Sequence, residues 1–457
     1  MFDEYKDSPF IFTNKLNEPV YNNAGEIIQG YCEKDTQFLL NLMQNSADSE
    51  QTFQQLMVYV TNRPVIASKL KPDFAFKLVS MLKEDSCTID VLKCISSVSS
   101  EFPANYTIDF QEVLKRSEFF DLIYTIIYQR HHDHFLIDSI FNILINCCST
   151  KDYSFTIQLM ESEIIEQLIT NKNLNEYRED ILIVLQNFVQ MPMKEFKFTI
   201  YDDIVEFIGN SLYIDDIKVT IQALIAFRIA NENGDVIGFL ICNQAICNVI
   251  REKVNSYSID ASKEAFKTLA SLIKNGQEIV EMIGQFMTVQ ELLGYLTKPP
   301  KILKQVIAMI IALRQNSEDP GVIHHLYKEV FSLDFNNLFS NANLRIKERV
   351  VILIETFNYN PPIPITEIYT ESVLMFLANF IEVGEIKSVF TVAKLINQAI
   401  DASQSDWNFL SLVEKVFKEN VFEIIDDTLN NIDPATPRHE EIENCLQHLL
   451  DTFTPAQ

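Results

Sequence analysis

The chain has 457 residues, with 37 basic and 63 acidic side chains and a formal net charge of −26. A surface this acidic argues against general binding to nucleic acids or anionic membranes, because both require a basic surface. Glycine and proline are scarce, with 10 and 15 residues, and no alternating strand pattern occurs. The composition therefore favours an all-helical fold.

The sequence lacks signals that would direct the chain into or across a membrane. Its first ten residues, MFDEYKDSPF, form neither an apolar signal core nor an arginine-rich transit pattern. Apolar runs such as 306–313 are far shorter than the ~20 residues that span a bilayer. The eight cysteines are scattered without a C-x-x-C pair, as is typical of reduced core thiols. We expect a cytoplasmic protein without membrane insertion, with the nucleus left open as a second compartment.

In chain order, residues 1–35 contain prolines, asparagines and a glycine but no sustained hydrophobic period, so we predict an extended arm. The helical pattern begins at Thr36 and continues through residues 36–457. Loops between helices are marked by Pro299–Pro300 and Pro361–Pro362. These breaks divide 36–457 into about ten helical units.

One kind of helix recurs about every 40 residues. In the copy Asp138–Cys148, DSIFNILINCC, the side chains of Asp138, Asn142 and Asn146 stand four residues apart on one stripe. Because a buried amide without partners costs about 1–3 kcal/mol, we interpret Asn142 and Asn146 as lining an open surface. Self-similarity at this period predicts an α-solenoid of the armadillo or HEAT kind. The places equivalent to Asn146 are filled in later copies by Asn187, Ala226, Ser271, Ala312 and Glu355.

The repeat count and a shortened last unit resemble the importin-α family. The resemblance covers roughly residues 36–454 and is clearest in KEAFKTLASLIKNGQEIVEMI, KQVIAMIIALRQN, KERVVILIETF and HEEIENCLQHLLDTF. It implies a right-handed solenoid of about ten armadillo repeats. It also implies that nuclear-localisation peptides of cargo proteins lie in a concave groove.

Importin-α proteins bind these peptides through a Trp and an Asn one helical turn apart on successive inner helices. Trp rings sandwich the stems of Lys and Arg, while Asn amides hold the peptide backbone. This chain keeps Asn146 and Asn187 but has no Trp at the Trp place. It also lacks a basic arm in residues 1–35, so importin-β is not an expected partner. The Trp place is filled by Lys93, Asn142, Ile183, Gln222, Lys267, Ala308 and Val351.

One turn before the Trp place, the charge changes sign along the chain. Asp138 and Glu179 stand there in the third and fourth repeats. If this position lines the groove, one half is acidic and the other half is basic and binds an acidic segment. Alternatively, the lysines are simply solvated at the starts of their helices, an end slightly unfavourable for a cation. Those lysines are Lys218, Lys263, Lys304 and Lys347.

No pattern of catalytic, metal-ligating or cofactor-binding residues stands out. The loop 131–134 contains three histidines and an aspartate, but adjacent residues on one short loop rarely converge on a single ion. Walker A, HExxH and GxSxG patterns are missing. We therefore expect no enzyme activity, no metal, no cofactor and no small-molecule substrate.

Together these features predict a non-enzymatic adaptor that holds segments of partner proteins in the groove of a solenoid. Two versions stay open. One is a divergent importin-α-like receptor for nuclear import cargo, and the other is an armadillo scaffold or regulatory subunit of an enzyme complex unrelated to import. The candidate peptide-binding residues are Asp138, Asn142, Asn146, Glu179, Asn187, Gln222, Lys263, Lys267, Ser271 and Lys304.

Overall fold

The computed structural model describes most of the chain from residue 50 onwards and divides it into two compact units, Met1–Asp152 and Tyr153–Gln457. The part that the structure describes is all-helical, without a β-strand, so the predicted all-α fold is confirmed there. The predicted arm, 1–35, lies outside it. The described residues are 50–62, 72–83, 88–100, 112–150, 153–191, 198–233, 245–359, 361–383, 385–403, 406–433 and 435–453.

The first unit contains five of the helices described. They are α1 (Glu50–Asn62), α2 (Pro72–Met81), α3 (Thr88–Ser99), α4 (Ser117–Arg130) and α5 (His134–Cys148). Helix α3 packs against both α1 and α5. The recurrent stripe of the sequence analysis lies on α5, and we call α1, α3 and α5 the inner helices of this unit.

The second unit repeats this arrangement over a longer stretch. Its first helices are α6 (Ser154–Glu161), α7 (Ile164–Thr170), α8 (Arg178–Val189), α9 (Phe198–Ser211), α10 (Ile217–Asn233), α11 (Ala245–Val254) and α12 (Ile259–Ile273). The next are α13 (Gln277–Phe286), α14 (Val289–Gly294), α15 (Pro300–Asn316), α16 (Pro320–Phe331), α17 (Phe335–Phe339) and α18 (Leu344–Asn358). The last are α19 (Ile365–Ile368), α20 (Glu371–Ile381), α21 (Ile386–Ala402), α22 (Trp407–Asn431) and α23 (His439–Phe453).

In the second unit, helices that carry the recurrent stripe pack in sequence order. Helix α8 packs against α10, α10 against α12, α12 against α15, α15 against α18, and α18 against α21. We call these the inner helices of the second unit and the others its outer helices. Consecutive packing of this kind fits an α-solenoid, in which each repeat contacts its neighbours.

Within the second unit, inner helices such as α12 are buried on most of their circumference because they contact the preceding and following inner helices as well as outer helices. In α8, every residue of 181–189 is buried. In α12, the polar residues Ser262, Glu264 and Ser271 are buried along with the apolar ones. Polar side chains at such positions must find partners inside the protein.

The starts of the inner helices follow local sequence signals. The hydroxyl of Ser258 accepts a hydrogen bond from the backbone N–H of Ala261 at the start of α12. Pro300 opens α15, where proline is tolerated because its missing N–H would have no helical partner. Pro361–Pro362 lies between α18 and α19, so both proline pairs mark breaks between helices, as predicted.

Buried tyrosines join outer helices to the inner helices that follow them. The hydroxyl of Tyr201 on α9 donates to the carbonyl of Ala230 at 3.1 Å. The hydroxyl of Tyr327 on α16 donates to the carbonyl of Phe357 at 2.6 Å. Both carbonyls lie in the last four residues of their helices, where the helix supplies no N–H partner. These bonds therefore fix outer helices to inner ones at the helix ends.

Candidate peptide-binding surface

In the first unit, the predicted stripe on α5 is partly open. Asp138 and Asn142 are exposed, as expected for residues that line a surface. Asn146 is half-buried, and its Nδ2 donates to the hydroxyl of Ser99 on α3 at 3.1 Å. Its amide therefore links two inner helices, and only part of it is left to meet a ligand.

The histidine-rich loop 131–134 before α5 contains the residue that caps this helix, Asp133. The carboxylate of Asp133 accepts a hydrogen bond from the N–H of Leu136 and lies 3.3 Å from the guanidinium of Arg130. It is therefore the cap of α5. Within the described ranges, no three His, Cys, Asp or Glu side chains are grouped so that they could hold a metal ion.

No helix in those ranges is long and apolar enough to cross a membrane.

In the second unit, two candidate amide side chains, one at the Asn place and one at the Trp place, are engaged within the protein. Asn187 is buried, and its Nδ2 donates to the carbonyl of Ile183 in its own helix at 3.2 Å. Gln222 is half-buried and accepts a hydrogen bond from Gln186 Nε2 at 2.9 Å. These contacts turn the amide of Asn187 inward and join α8 to α10.

Ser271, at the Asn place of α12, is also buried. Its hydroxyl accepts a hydrogen bond from Asn231 Nδ2 on α10 at 2.9 Å. The side-chain oxygen Oδ1 of Asn231 in turn accepts a hydrogen bond from the side-chain amide of Asn275. The sequence register pointed to Ala226 as the residue of interest in α10 and missed Asn231, five residues later. The available signal was an asparagine at the end of an apolar helix, where a buried amide needs a partner on the next repeat.

Lys263 and Lys267 share one carboxylate oxygen. Their ammonium nitrogens lie 3.3 Å and 3.0 Å from Oε1 of Glu264, which is buried, whereas both lysines are half-buried. Burial lowers the pKa of Lys267, and the nearby cations Lys263 and Arg228 lower it further, while Glu264 opposes the shift. The site therefore holds an ammonium group in a setting that disfavours its charge.

Arg228 on α10 adds a third cation beside these lysines. Its guanidinium lies 3.3 Å from the carboxylate of Glu232, and its Nε is buried without a hydrogen-bond partner in the described structure. We call Lys263, Lys267 and Arg228, with Glu264 and Glu232, the α12 cation cluster. It contains three cations and two carboxylates, so it has a local positive excess in a chain whose net charge is −26.

Three lysines at the starts of inner helices form ion pairs with a carboxylate on a neighbouring inner helix, and one of them, Lys218, belongs to the lysines singled out by the sequence. Lys218 lies 3.7 Å from Glu179, so these two members of the predicted acidic and basic halves contact each other directly. Lys304 is half-buried on α15. Because ion pairs such as Lys218–Glu179 are largely exposed, each contributes at most about 1 kcal/mol to the free energy of unfolding. Two further pairs of this kind are Lys301–Asp260 at 3.8 Å and Lys387–Glu348 at 3.7 Å.

Comparisons with known proteins place the fold and go no further. No protein-family model matches the chain, and a search of curated proteins found no match. A crystal structure of an engineered protein from the Northeast Structural Genomics Consortium matches 90% of this chain and 98% of its own, with a TM-score of 0.62 and 14% identity. A second engineered protein from that consortium matches 62% of this chain and 97% of its own, with a TM-score of 0.36 and 13% identity. At 14% identity, the first match shows that the two proteins share a fold.

Proposed function

We propose that this chain is a non-enzymatic armadillo-type solenoid that binds an acidic, extended segment of a partner protein on the inner helices of its second unit. The observation that carries the proposal is the α12 cation cluster. The chain would then be a scaffold or the regulatory subunit of a complex. The armadillo assignment rests on the resemblance of the repeat layout to importin-α.

The hydrogen-bonding capacity of the cluster supports an acidic ligand. A lysine ammonium group has three N–H donors, and Lys263 and Lys267 both contact a single oxygen of Glu264. Donors are therefore left over for a carboxylate of a bound segment. Such a carboxylate would also raise the pKa of Lys267 and so offset part of the cost of burying its charge.

The inner-helix amides weigh against the usual nuclear-localisation peptide at this surface. Asn187 bonds to its own helix, and Ser271 bonds to Asn231, so neither is placed to hold a peptide backbone. A basic peptide would also meet the cations of the α12 cluster. Like charges brought together at an interface cost several kcal/mol.

An importin-α-like adaptor stays a second candidate because of the first unit. There the stripe on α5 exposes the carboxylate of Asp138 and the amide of Asn142 on one side of the helix. A carboxylate and an amide one turn apart suit a basic peptide, since one pairs with a cationic head and the other with the backbone. This candidate predicts binding of basic rather than acidic peptides.

A peptide-binding experiment separates the two candidates. Fluorescence anisotropy would be measured with a glutamate-rich decapeptide and with a lysine-rich decapeptide of the nuclear-localisation type. We expect wild type to bind the acidic peptide and Lys263→Glu with Lys267→Glu to weaken that binding at least tenfold. A matched control, Lys328→Glu with Lys298→Glu, changes the net charge equally at two exposed lysines and should retain binding.

Neutral variants guard against misfolding in the charge-reversed protein. Lys263→Gln with Lys267→Gln removes both ammonium groups without crowding carboxylates around Glu264, and circular dichroism would verify its helical content. We expect the neutral variant to lose most of the affinity as well. The proposal fails if wild type shows no binding of the acidic peptide. It also fails if both double variants bind this peptide with the affinity of wild type.

A further inference from the structure

A small cleft lies within the second unit, apart from the residues of the α12 cation cluster. Its volume is about 270 Å³. It is formed by the end of α7, a 3-10 turn at Lys172–Tyr177, the beginning of α8, and α9. We call it the Arg178 cleft, because Arg178 is the first residue of α8 and lines it.

The guanidinium of Arg178 is held in place by an aromatic ring rather than by an anion. Its central carbon lies 4.5 Å from the ring centroid of Phe207 on α9, a cation–π distance. Its Nε is buried and has no hydrogen-bond partner within the described ranges. No ion pair is formed by Arg178 with any described carboxylate. The guanidinium thus lies over the ring of Phe207 with hydrogen-bonding capacity unused.

Two further properties of Arg178 make an anionic partner favourable. Burial lowers the pKa of its guanidinium, which still carries its charge at neutral pH. The residue also stands in the first turn of a helix, where the backbone dipoles disfavour a cation. A bound anion would reduce both costs at once.

The walls of the cleft combine positive charge with apolar surface. Lys172 is exposed at the rim, and no Asp or Glu is among the lining residues, in a chain that has 63 acidic side chains. Leu168, Ile181 and Phe207 supply buried apolar surface. Asn171 and Asn175 add amides. This combination suits a carboxylate on a short hydrocarbon stem better than a bare inorganic anion, which has no apolar part to bury.

We propose that the Arg178 cleft binds the side-chain carboxylate of a glutamate in a partner protein. The carboxylate pairs with the Arg178 guanidinium, and its methylene stem packs against Phe207 and Ile181. This site shares no residue with the α12 cation cluster, so it can be present whether or not the α12 cation cluster binds an acidic segment.

The test uses the Nε–H resonance of Arg178 in full-length protein labelled with ¹⁵N in its arginine side chains. The signal is assigned by its loss in Arg178→Met. The protein is titrated with glutamate capped at both ends, with equally capped glutamine, and with inorganic phosphate. We expect the Arg178 Nε–H resonance to shift saturably with capped glutamate. The concentration of capped glutamate at half saturation should be at least tenfold lower than that of capped glutamine or inorganic phosphate.

Variants locate the binding group. Arg178→Met keeps a flexible stem against Phe207 but removes the charge, and it should abolish binding of capped glutamate as measured by calorimetry. Arg178→Lys keeps the charge without the planar fork and should bind several-fold more weakly than wild type. The matched control is Arg116→Met, which alters an exposed arginine stacked 4.3 Å from Phe76 and should bind as wild type does.

Several results would overturn the proposal. Equal affinity for capped glutamate and capped glutamine would remove the role of the carboxylate. Tighter binding of phosphate than of capped glutamate would identify a phosphate site instead. Binding of capped glutamate that survives Arg178→Met in a folded protein would place the site elsewhere. The comparison of probes on wild type decides the matter even if a variant fails to fold.

Discussion

Asn231 on α10 donates its side-chain amide to the hydroxyl of Ser271 on α12, at 2.9 Å across the packing of two successive inner helices. The side-chain oxygen Oδ1 of Asn231 accepts a hydrogen bond from the side-chain amide of Asn275. Both Asn231 and Ser271 are buried. Ser271, which the repeat register predicts to contact a bound peptide, thus takes part instead in a contact that joins one inner helix to the next.

Replacing Asn231 should therefore destabilise the second unit. Asn231→Ala leaves the hydroxyl of Ser271 and the amide of Asn275 without this partner, and we expect the free energy of unfolding to fall by about 1–3 kcal/mol. Urea denaturation followed by circular dichroism would measure the loss. The control is Asn233→Ala, because Asn233 is exposed and its amide donates to the carbonyl of Ile229 in its own helix. Equal destabilisation by both variants would contradict the role given to Asn231.

The tyrosine that joins α16 to α18 gives a second prediction. The hydroxyl of Tyr327 donates to the carbonyl of Phe357 and accepts a hydrogen bond from Arg314 Nε at 2.9 Å. Tyr327→Phe removes both bonds, and we expect it to lower the free energy of unfolding by about 1–3 kcal/mol. Tyr359→Phe, at a tyrosine whose side chain is mostly exposed, should change it by less than about 0.5 kcal/mol. A neutral effect of Tyr327→Phe would show that water replaces the bonds.

Cysteine reactivity is a third measurable consequence of the packing. Burial raises the pKa of Cys94 to about 12 and that of Cys247 to about 11, against an ordinary value of 9.0. The thiolate fraction at mildly alkaline pH is then lower by roughly a thousandfold and a hundredfold, because each pKa unit changes it tenfold. We expect alkylation of both to be far slower in native protein than in urea. Mass spectrometry of the labelled peptides would measure each site, and equal rates in both states would exclude the buried placement.

The same shift predicts how stability responds to alkaline pH. Above about pH 9 an unfolded Cys94 loses its proton, whereas the folded one keeps it until about pH 12. The folded state then binds more protons, so the free energy of unfolding falls as pH rises, by up to about 1.4 kcal/mol per pH unit. Cys94→Ala should make this fall shallower. Unfolding of both proteins by urea across the alkaline range would show it, and parallel slopes would refute the assignment.

The general architecture could be predicted from sequence because it depends on local patterns. A period near 40 residues, the apolar helices and the proline breaks all reflect rules that act within one repeat. The four-residue spacing and the cost of burying an amide predicted an open stripe; Asp138 and Asn142 are exposed, whereas Asn146 is half-buried and bonded to Ser99. Burial of Asn187 could not be predicted in this way, since it depends on how α8 is rotated against its neighbours.

The groups with unusual electrostatics were hidden for a similar reason. In the segment ASKEAFKTL, Glu264 looks like a solvated residue between lysines. In the structure it is buried, and its carboxylate forms ion pairs with the ammonium groups of both lysines. Arg178 looks like an ordinary charged residue at the start of a helix. Its position over Phe207 depends on α9, about thirty residues later. The local sequence shows that Glu264 stands beside Lys263 and Lys267 but not that it is buried, and it contains no record of the ring that Arg178 contacts.

Glu264 allows stability and binding to be separated. Its buried carboxylate is the charge partner of Lys263 and Lys267, so Glu264→Gln leaves two half-buried ammonium groups close together. We expect the free energy of unfolding to fall by about 1–3 kcal/mol. The control Glu278→Gln, at an exposed position on α13, should leave stability within about 0.5 kcal/mol of wild type.

The same substitution should strengthen the binding of an acidic peptide. Without the Glu264 carboxylate, the α12 cation cluster gains one unit of positive charge, and the donors of both lysines become free for the carboxylates of the ligand. We expect the Kd of the glutamate-rich decapeptide to fall several-fold, with a stronger dependence on salt than in wild type. If Glu264→Gln weakened binding in a protein that circular dichroism shows to be folded, the carboxylate would have to orient the lysines rather than compete for them. Competition between Glu264 and the ligand for the two lysines would then be excluded, and with it the prediction that removing the carboxylate strengthens binding.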